Sequence, residues 1–187
     1  DQLDAVDAGQ HQIDEVEIVA VRVGVGEQGG TVVEDADLDT AAAQVLGQEL
    51  PALVRDGCTS LKIFLTYERL VLSDYEVLDV LAFAKREGAM VMIHAENDGC
   101  VRWLTDKLLD AGKTGMKYHG VARSRVGERE ATHRAISFSE LLDVPILIAH
   151  VSTRQAMDEI RSAQDRGLRI FAETCPQYLF LTADHLD

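Results

Sequence analysis

Residues 73–94 read SDYEVLDVLAFAKREGAMVMIH, and they predict a helix followed at once by a buried strand. Ser73 and Glu76 have the spacing of a capping box, in which each side chain accepts a hydrogen bond from the other residue's backbone N–H. Apolar residues then recur at helical spacing, and Gly88 can end the helix in the left-handed conformation. The apolar run after Gly88 has the length of a strand, and it ends at His94.

The same alternation of helix and strand continues along the rest of the chain from about residue 45. Further short apolar strands are predicted at residues 61–65, 146–149 and 168–172. Continuously apolar strands separated by helices indicate a parallel sheet covered on both faces. Four βα units make about half of a (β/α)₈ barrel, which needs ~250 residues. The predicted fold class is therefore α/β, as a partial TIM barrel, and a doubly wound open sheet is the alternative, which fits the length better.

Charge separates the first 44 residues from the others. The chain of 187 residues has 18 Lys and Arg against 32 Asp and Glu, for a net charge of −14, and residues 1–44 hold 11 of the acidic residues and only Arg22 as a base. We therefore predict two parts, an acidic, disordered or wrongly framed segment at 1–44 and a folded part at 45–187. The acidity argues against nucleic acid and anionic membranes as partners, because phosphates are bound by clustered Lys and Arg.

Two minor expectations concern packing and redox state. The three cysteines, Cys58, Cys100 and Cys175, have no spacing of a metal motif, which favours reduced thiols, with Cys175 buried. We expect Trp103 to pack in the core or between helices.

No apolar run approaches the about 20 residues that a membrane-spanning helix needs.

Polar residues on the predicted strands carry the chemistry. Lys62 lies inside an apolar strand, where burial lowers the pKa of an amine and makes it a nucleophile, for example toward carbon dioxide. His94 and His150 each directly follow an apolar strand, at the carboxyl edge where parallel α/β proteins assemble their active sites. A single histidine at a strand end is more often structural. Two such histidines with an interior lysine favour a metal site, because imidazole is a common zinc ligand.

Five motifs follow one another between residues 57 and 179. They are GCTSLKIFLTY at 57–67, HAEN at 94–97, Ser124-Arg125 with Glu130-Ala131 and Arg134-Ala135, HVS at 150–152, and ETCPQYL at 173–179. In this order they resemble the dihydropyrimidinase and D-hydantoinase family of cyclic amidohydrolases. The resemblance runs from about residue 44 to residue 187, and it implies a barrel of the amidohydrolase type of which this chain holds about strands 4 to 7.

The resemblance also implies a role for each matched position. Lys62 would be carboxylated to a carbamate that bridges two Zn²⁺ ions, and His94 and His150 would each bind a metal. Tyr67 would donate a hydrogen bond to the substrate carbonyl and to the oxyanion that develops from it. Phe64 would shape the pocket for the ring substituent.

The implied reaction is zinc-dependent hydrolysis of a small cyclic amide. It would open a dihydropyrimidine or 5-substituted hydantoin ring to an N-carbamoyl amino acid, in a cytoplasmic protein that is a homotetramer when complete. Glu96 is expected to orient a metal ligand instead of binding metal itself. Two alternatives within the family are a noncatalytic scaffold protein, which the retained Lys62, His94 and His150 disfavour, and an allantoinase or dihydroorotase type of enzyme. The Thr66-Tyr67 ending of the lysine motif favours the hydantoinase side.

Several departures from the family pattern are visible. The chain contains no His-x-His, Val126 stands where the family has Pro, and residues 1–43 do not match. The eighth strand, with its metal-binding Asp, also has no counterpart. We therefore expect an internal fragment that is inactive by itself. Residues 24–29 formally match the G-x-G-x-x-G nucleotide fingerprint, which makes a nucleotide-binding module the third alternative, but the residues after them predict a hairpin instead of the required helix.

Half of a barrel leaves sheet edges and apolar faces open, so we predict that the chain is poorly stable alone. Circular dichroism during heating should show a broad transition without cooperativity, and light scattering after size exclusion should report the mass. A sharp cooperative transition in material that is monomeric would contradict this prediction.

Overall fold

The computed structural model describes residues 18–20 and 50–186. Five strands lie in these ranges: β1 (Ile18–Ala20), β2 (Ser60–Phe64), β3 (Met90–His94), β4 (Ile146–Ile148) and β5 (Ile170–Ala172). The α-helices are α1 (Leu50–Arg55), α2 (Asp74–Glu87), α3 (Asp98–Asp110), α4 (His119–Ala122), α5 (Arg125–Leu142) and α6 (Arg154–Asp165). Short 3₁₀ helices cover Met116–Tyr118, Pro176–Leu179 and Ala183–Leu186.

All described strands are parallel and follow one another across the sheet in the order β1-β2-β3-β4-β5. A doubly wound sheet reverses its strand order at a switch point, whereas a barrel adds each new strand on the same side. The described strands do not reverse. The partial-barrel prediction is therefore confirmed, and the doubly wound alternative is wrong for the described part of the chain.

Of the predicted acidic segment at 1–44, the structure describes only residues 18–20. β1 lies within this segment and pairs in parallel with β2, with Val19 opposite Leu61. The remaining residues of the segment, including the glycine motif at 24–29, lie outside the described residues. The division at residue 44 stays a prediction.

The capping box formed by Ser73 and Glu76 begins α2 as the sequence predicts. The Glu76 carboxylate accepts a hydrogen bond from the Ser73 N–H at 2.7 Å, and the Ser73 hydroxyl accepts one from the Glu76 N–H at 3.3 Å. Gly88 ends the helix at φ 76°, a conformation that glycine adopts without steric cost. The helix is thus bounded by local interactions at both ends.

The two faces of the sheet differ in burial. Side chains alternate between faces along a strand, and one face is almost fully buried under the helices: Leu61, Ile63, Val91, Ile93, Ile146 and Ile148. On the opposite face Lys62, Met92 and Leu147 are only half-buried. The second face is therefore covered less completely than the sequence predicts, because a continuously apolar strand does not reveal how completely its second face is covered. The half-buried face is the one that carries Lys62.

Trp103 and Cys175 also differ from expectation. The Trp103 side chain is 61% exposed, and no residue of α3 is buried. Cys175 is half-buried instead of buried, while the free thiols of all three cysteines agree with the sequence. Helical spacing predicts an amphipathic helix, but it does not reveal which neighbour covers the apolar side. In the described ranges no helix has both the length and the apolar character needed to cross a membrane.

Removing the Ser73 hydroxyl should loosen the start of α2. We expect Ser73→Ala to cost about 1 kcal/mol locally, which corresponds to about five-fold faster amide hydrogen exchange in the first turn, for example at the Val77 N–H bonded to the Ser73 carbonyl. Ser137→Ala is the matched control, because the Ser137 hydroxyl donates only to the carbonyl of His133 within one helix. Equal exchange rates in both variants would contradict the prediction.

Candidate active site

The parallel sheet brings the predicted site residues to one edge. Phe64 ends β2 opposite His94, which ends β3, and His150 comes two residues after the end of β4. Tyr67 follows β2 by three residues. Because the carboxyl ends of parallel strands lie at the same edge, these four side chains meet there.

His94 and His150 are in direct contact. The Nδ1 atom of His94 lies 2.9 Å from the Nε2 atom of His150, and the ring centroids are 4.6 Å apart. One of these two nitrogens carries a hydrogen and the other accepts it. His94 is 7% exposed and His150 is half-buried, so the pair is largely removed from solvent.

Glu96 determines which nitrogen of His94 is protonated. Its Oε2 atom lies 2.7 Å from the Nε2 atom of His94. Burial alone would raise the pKa of Glu96, but the hydrogen bond from His94 and the charge of Arg123 outweigh it and lower that pKa. An ionised carboxylate only accepts, so the hydrogen is on Nε2 of His94 and the lone pair on Nδ1 faces His150. This is the tautomer in which Nδ1 can bind a metal.

Arg123 is a site residue that the sequence reasoning missed. Its Nη1 atom forms an ion pair with the same Oε2 atom of Glu96, and its guanidinium carbon lies 5.1 Å from the centroid of the Tyr67 ring. The predicted motif began one position later, at Ser124, which instead caps α5 by accepting a hydrogen bond from the Gly127 N–H. The sequence feature that could have pointed to Arg123 is its position directly before the Ser124-Arg125 motif.

Three aromatic rings pack against one another at this edge of the sheet, in edge-on and tilted arrangements. The Tyr67 and His94 centroids are 5.0 Å apart, and Phe64 lies 5.6 Å from His94 and 5.9 Å from Tyr67. The Tyr67 side chain is 38% exposed. Tyr67 therefore lies beside His94 with part of its surface open to the cavity.

Lys62 lies on β2 behind this ring cluster. Its Nζ atom is 5.7 Å from the centroid of the Phe64 ring. Burial lowers the pKa of Lys62, and the charges of Glu173 and Cys175 oppose that change. A lowered pKa increases the fraction of neutral amine, which is the form that reacts with carbon dioxide.

Tyr67 and His150 both have backbone conformations that L-residues rarely adopt. Their φ angles are 74° and 40°, and the third positive-φ residue in the described ranges other than glycine is Asp143 at the end of α5. Such strain persists only where surrounding contacts hold it. At Tyr67 the holding contacts are hydrogen bonds from the N–H groups of Leu70 and Val71 to its carbonyl, at 2.7 and 2.8 Å.

A carboxylate from α5 holds the segment that carries His150. Glu128 accepts hydrogen bonds from the N–H of Ser152 at 2.7 Å and from its hydroxyl at 3.0 Å. The N–H of Val151 donates to the Glu173 carbonyl at 2.7 Å. The two residues after His150 are thus hydrogen-bonded to α5 and to the segment after β5, and these bonds hold the backbone at His150 in place.

A cavity of about 840 Å³ opens above these residues. Tyr67, His94, Glu96, Arg123 and His150 line its floor, and the segment after β5 contributes Gln177, Tyr178, Leu181 and Thr182. Of the predicted site residues, the structure brings His94, His150, Glu96 and Tyr67 together around the cavity. Lys62 and Phe64 do not line it.

Other motif residues connect helices instead of facing the cavity. Asn97 caps α3 by accepting a hydrogen bond from the Cys100 N–H, and its amide donates to Glu130 of α5. Arg134 of α5 forms an ion pair with Asp74 of α2 at 2.6 Å. These residues of the HAEN and Glu-Ala…Arg-Ala motifs therefore fix the helices around the sheet edge.

The donors at this edge suit a zinc ion. Two nitrogens 2.9 Å apart can both reach one ion, since two Zn–N bonds of about 2.1 Å span up to about 4.2 Å. Glu96 on the other nitrogen of His94 is the outer-sphere partner that metal-binding imidazoles usually have. The described residues contain no cluster of three or more His, Cys, Asp or Glu side chains that could hold a metal.

The protonation of His150 predicts a pH dependence for the metal-free chain. Burial lowers the pKa of His150, and the charges of His94 and Lys62 lower it further, whereas the unfolded imidazole titrates near its ordinary pKa of about 6.5. The unfolded state then binds the proton more tightly, so stability should fall as pH decreases from about 7 toward 5. His150→Asn should flatten this fall in the native circular dichroism signal at low temperature, and His119→Asn, which removes an exposed imidazole beside the same cavity, should not. An unchanged pH profile in His150→Asn would contradict the prediction.

Comparison with known proteins identifies the family. No family model matches the sequence. The chain is 40% identical over 140 residues to the D-hydantoinase of Streptomyces coelicolor, which is 74% of this chain and 30% of that protein. It is 39% identical over 141 residues to the D-hydantoinase of Ralstonia pickettii, covering 75% of this chain and 31% of that protein. The chain thus spans about a third of the length of the curated relatives that it matches.

Solved structures agree with these matches. The D-hydantoinase of Bacillus sp. AR9 superposes with a TM-score of 0.76 at 32% identity, over 89% of this chain and 33% of the other. Another D-hydantoinase structure gives a TM-score of 0.72 at 38% identity, over 79% of this chain and 32% of the other. The chain therefore belongs, over part of their length, to the family of the D-hydantoinases and dihydropyrimidinases.

Proposed function

We propose that this chain supplies one part of the active site of a zinc-dependent cyclic amidohydrolase. The reaction is the opening of a dihydropyrimidine or 5-substituted hydantoin ring to an N-carbamoyl amino acid. The observation that carries the proposal is the contact of His94 Nδ1 with His150 Nε2 at the carboxyl edge of a parallel sheet, with Tyr67 beside it. The names of the relatives, D-hydantoinase, support the substrate class.

Each residue has a distinct task in this proposal. His94 and His150 would hold a zinc ion, and Lys62, as a carbamate, would bridge it to a second one. When bound, zinc supplies a Lewis acid that polarises the amide carbonyl and lowers the pKa of water. The Tyr67 phenol donates a hydrogen bond to the substrate carbonyl oxygen as negative charge develops there. Phe64 supports the Tyr67 ring, and Glu96 keeps the His94 lone pair directed at the metal.

The chain alone should not complete the reaction. It contains no His-x-His, the pair that the resemblance places on the first strand of the same metal site. We propose that the 187-residue chain by itself is inactive, and that its residues become catalytic only when the other parts of the barrel are present. The cytoplasmic location and the homotetramer that the resemblance implies belong to that complete protein and stay predictions.

The test places this sequence in a complete barrel. Residues 45–187 should replace the matching segment of the Streptomyces coelicolor D-hydantoinase, and hydantoin and dihydrouracil opening should be measured with and without zinc. We expect zinc-dependent turnover that falls by more than about 100-fold in Lys62→Ala, together with loss of bound zinc, because Lys62 would be a direct metal ligand. Lys85→Ala is the matched control, since the Lys85 amine bonds the Leu142 carbonyl at the surface.

Two results would overturn the proposal. A folded, zinc-loaded chimera without turnover would exclude the function, and unchanged zinc content and turnover in Lys62→Ala would remove Lys62 from the site. Turnover by the 187-residue chain alone would overturn the proposal that it is inactive by itself.

A further inference from the structure

Arg123 is held in place by the ends of two helices. Its backbone N–H, directly after α4, donates to the carbonyl of His119, the first residue of that helix, at 3.2 Å, and the next residue, Ser124, caps α5. Its side chain is 22% exposed, although arginine usually lies at the surface. The backbone at Arg123 is therefore fixed on both sides, and the side chain is held by its ion pair with Glu96.

The guanidinium group makes two different contacts at once. Its Nη1 atom pairs with Oε2 of Glu96, the same oxygen that lies 2.7 Å from Nε2 of His94. The guanidinium carbon lies over the Tyr67 ring, 5.1 Å from its centroid. One cation thus contacts both the residue that orients His94 and the residue proposed to bind the substrate carbonyl.

We propose that Arg123 is a positioning residue that fixes the orientation of His94 through Glu96 and the orientation of Tyr67 through its contact over the ring. This inference rests on the proposed function only for its effect on turnover. Without the guanidinium, the Glu96 carboxylate loses its cationic partner and can rotate away from the His94 imidazole. The Tyr67 ring then loses the group that covers it, at a residue whose backbone is already strained at φ 74°.

The two simultaneous contacts suit an arginine better than a lysine. A guanidinium is planar, so it can donate hydrogen bonds in its plane to a carboxylate while its face stacks on a ring. An ammonium can pair with Glu96 but cannot stack in this way. Arg123→Lys should therefore retain the orientation of His94 and lose that of Tyr67, whereas Arg123→Met should lose both.

The first measurement concerns His94 in the metal-free 187-residue chain at low temperature. The chain has six histidines, so long-range ¹H–¹⁵N spectra of ¹⁵N-histidine-labelled protein are simple, and His94→Asn identifies the signal. We expect a single tautomer with hydrogen on Nε2 in the unsubstituted chain and in Arg123→Lys, and a mixture of tautomers in Arg123→Met. Arg129→Met is the matched control, because Arg129 lies on α5, is exposed and does not line the cavity.

The second measurement is zinc affinity of the same proteins, by competition with a chromophoric chelator. Removing an outer-sphere partner of a metal-binding imidazole lowers metal affinity by about 10- to 100-fold. We expect a loss of up to this size in Arg123→Met, because Glu96 is then no longer held against His94, and no loss in Arg129→Met. In the chimera described above, Arg123→Lys should lower kcat with little change in bound zinc, because only Tyr67 is misplaced.

The outcomes separate this inference from the proposed function. A single unchanged tautomer and unchanged zinc affinity in folded Arg123→Met would overturn the positioning role, as would a mixture of tautomers in the unsubstituted chain. If Arg123→Met does not fold, Arg123→Lys decides: full kcat in that variant would overturn the role at Tyr67, and a mixture of tautomers there would overturn the role at His94. The expected changes in tautomer and zinc affinity, found together with an inactive chimera, would support Arg123 and exclude the amidohydrolase function.

Discussion

The parallel register of β2, β3 and β4 is the constraint on which the site depends. Phe64 stands opposite His94, and Ile93 stands opposite Ile148, so the ends of three strands lie side by side. A shift of one residue in any strand would turn its side chains to the other face of the sheet. His94 would then leave the cavity and enter the layer where Ile93 is fully buried. The register is secured by the apolar residues of the buried face, which cannot be exposed without a large loss of hydrophobic free energy.

Much of this architecture could be predicted from local patterns. The strand ends at His94, the capping box at Ser73 and the left-handed end at Gly88 all follow from residue types at short spacing, and short-range interactions determine them. The incomplete cover of the second face of the sheet could not be predicted in this way. Whether Lys62 is buried or half-buried depends on which elements pack on the second face of the sheet. The residues of the strand itself do not determine those elements.

The candidate site divides in the same manner. His94 and His150 were found because each directly follows an apolar strand, whereas Arg123 lies in a turn between two helices and reaches the site only through tertiary contacts. Trp103 shows the converse error, since its size and helical spacing suggested burial and the helix that carries it presents it to solvent. Sequence patterns report which face of an element is apolar, and the arrangement of elements decides which residues meet.

Strain at Tyr67 and His150 places stability and chemistry in opposition at this edge of the sheet. A glycine at either position would adopt the observed φ of 74° or 40° freely, but it would remove a side chain from the cavity. Selection for a more stable chain would therefore favour glycine at these two positions, which removes side chains from the cavity. Selection for the site would keep Tyr67 and His150 despite their strained backbone. The loop after β2 and the segment after β4 are thus regions where selection for thermostability alone should first remove the side chains that line the cavity.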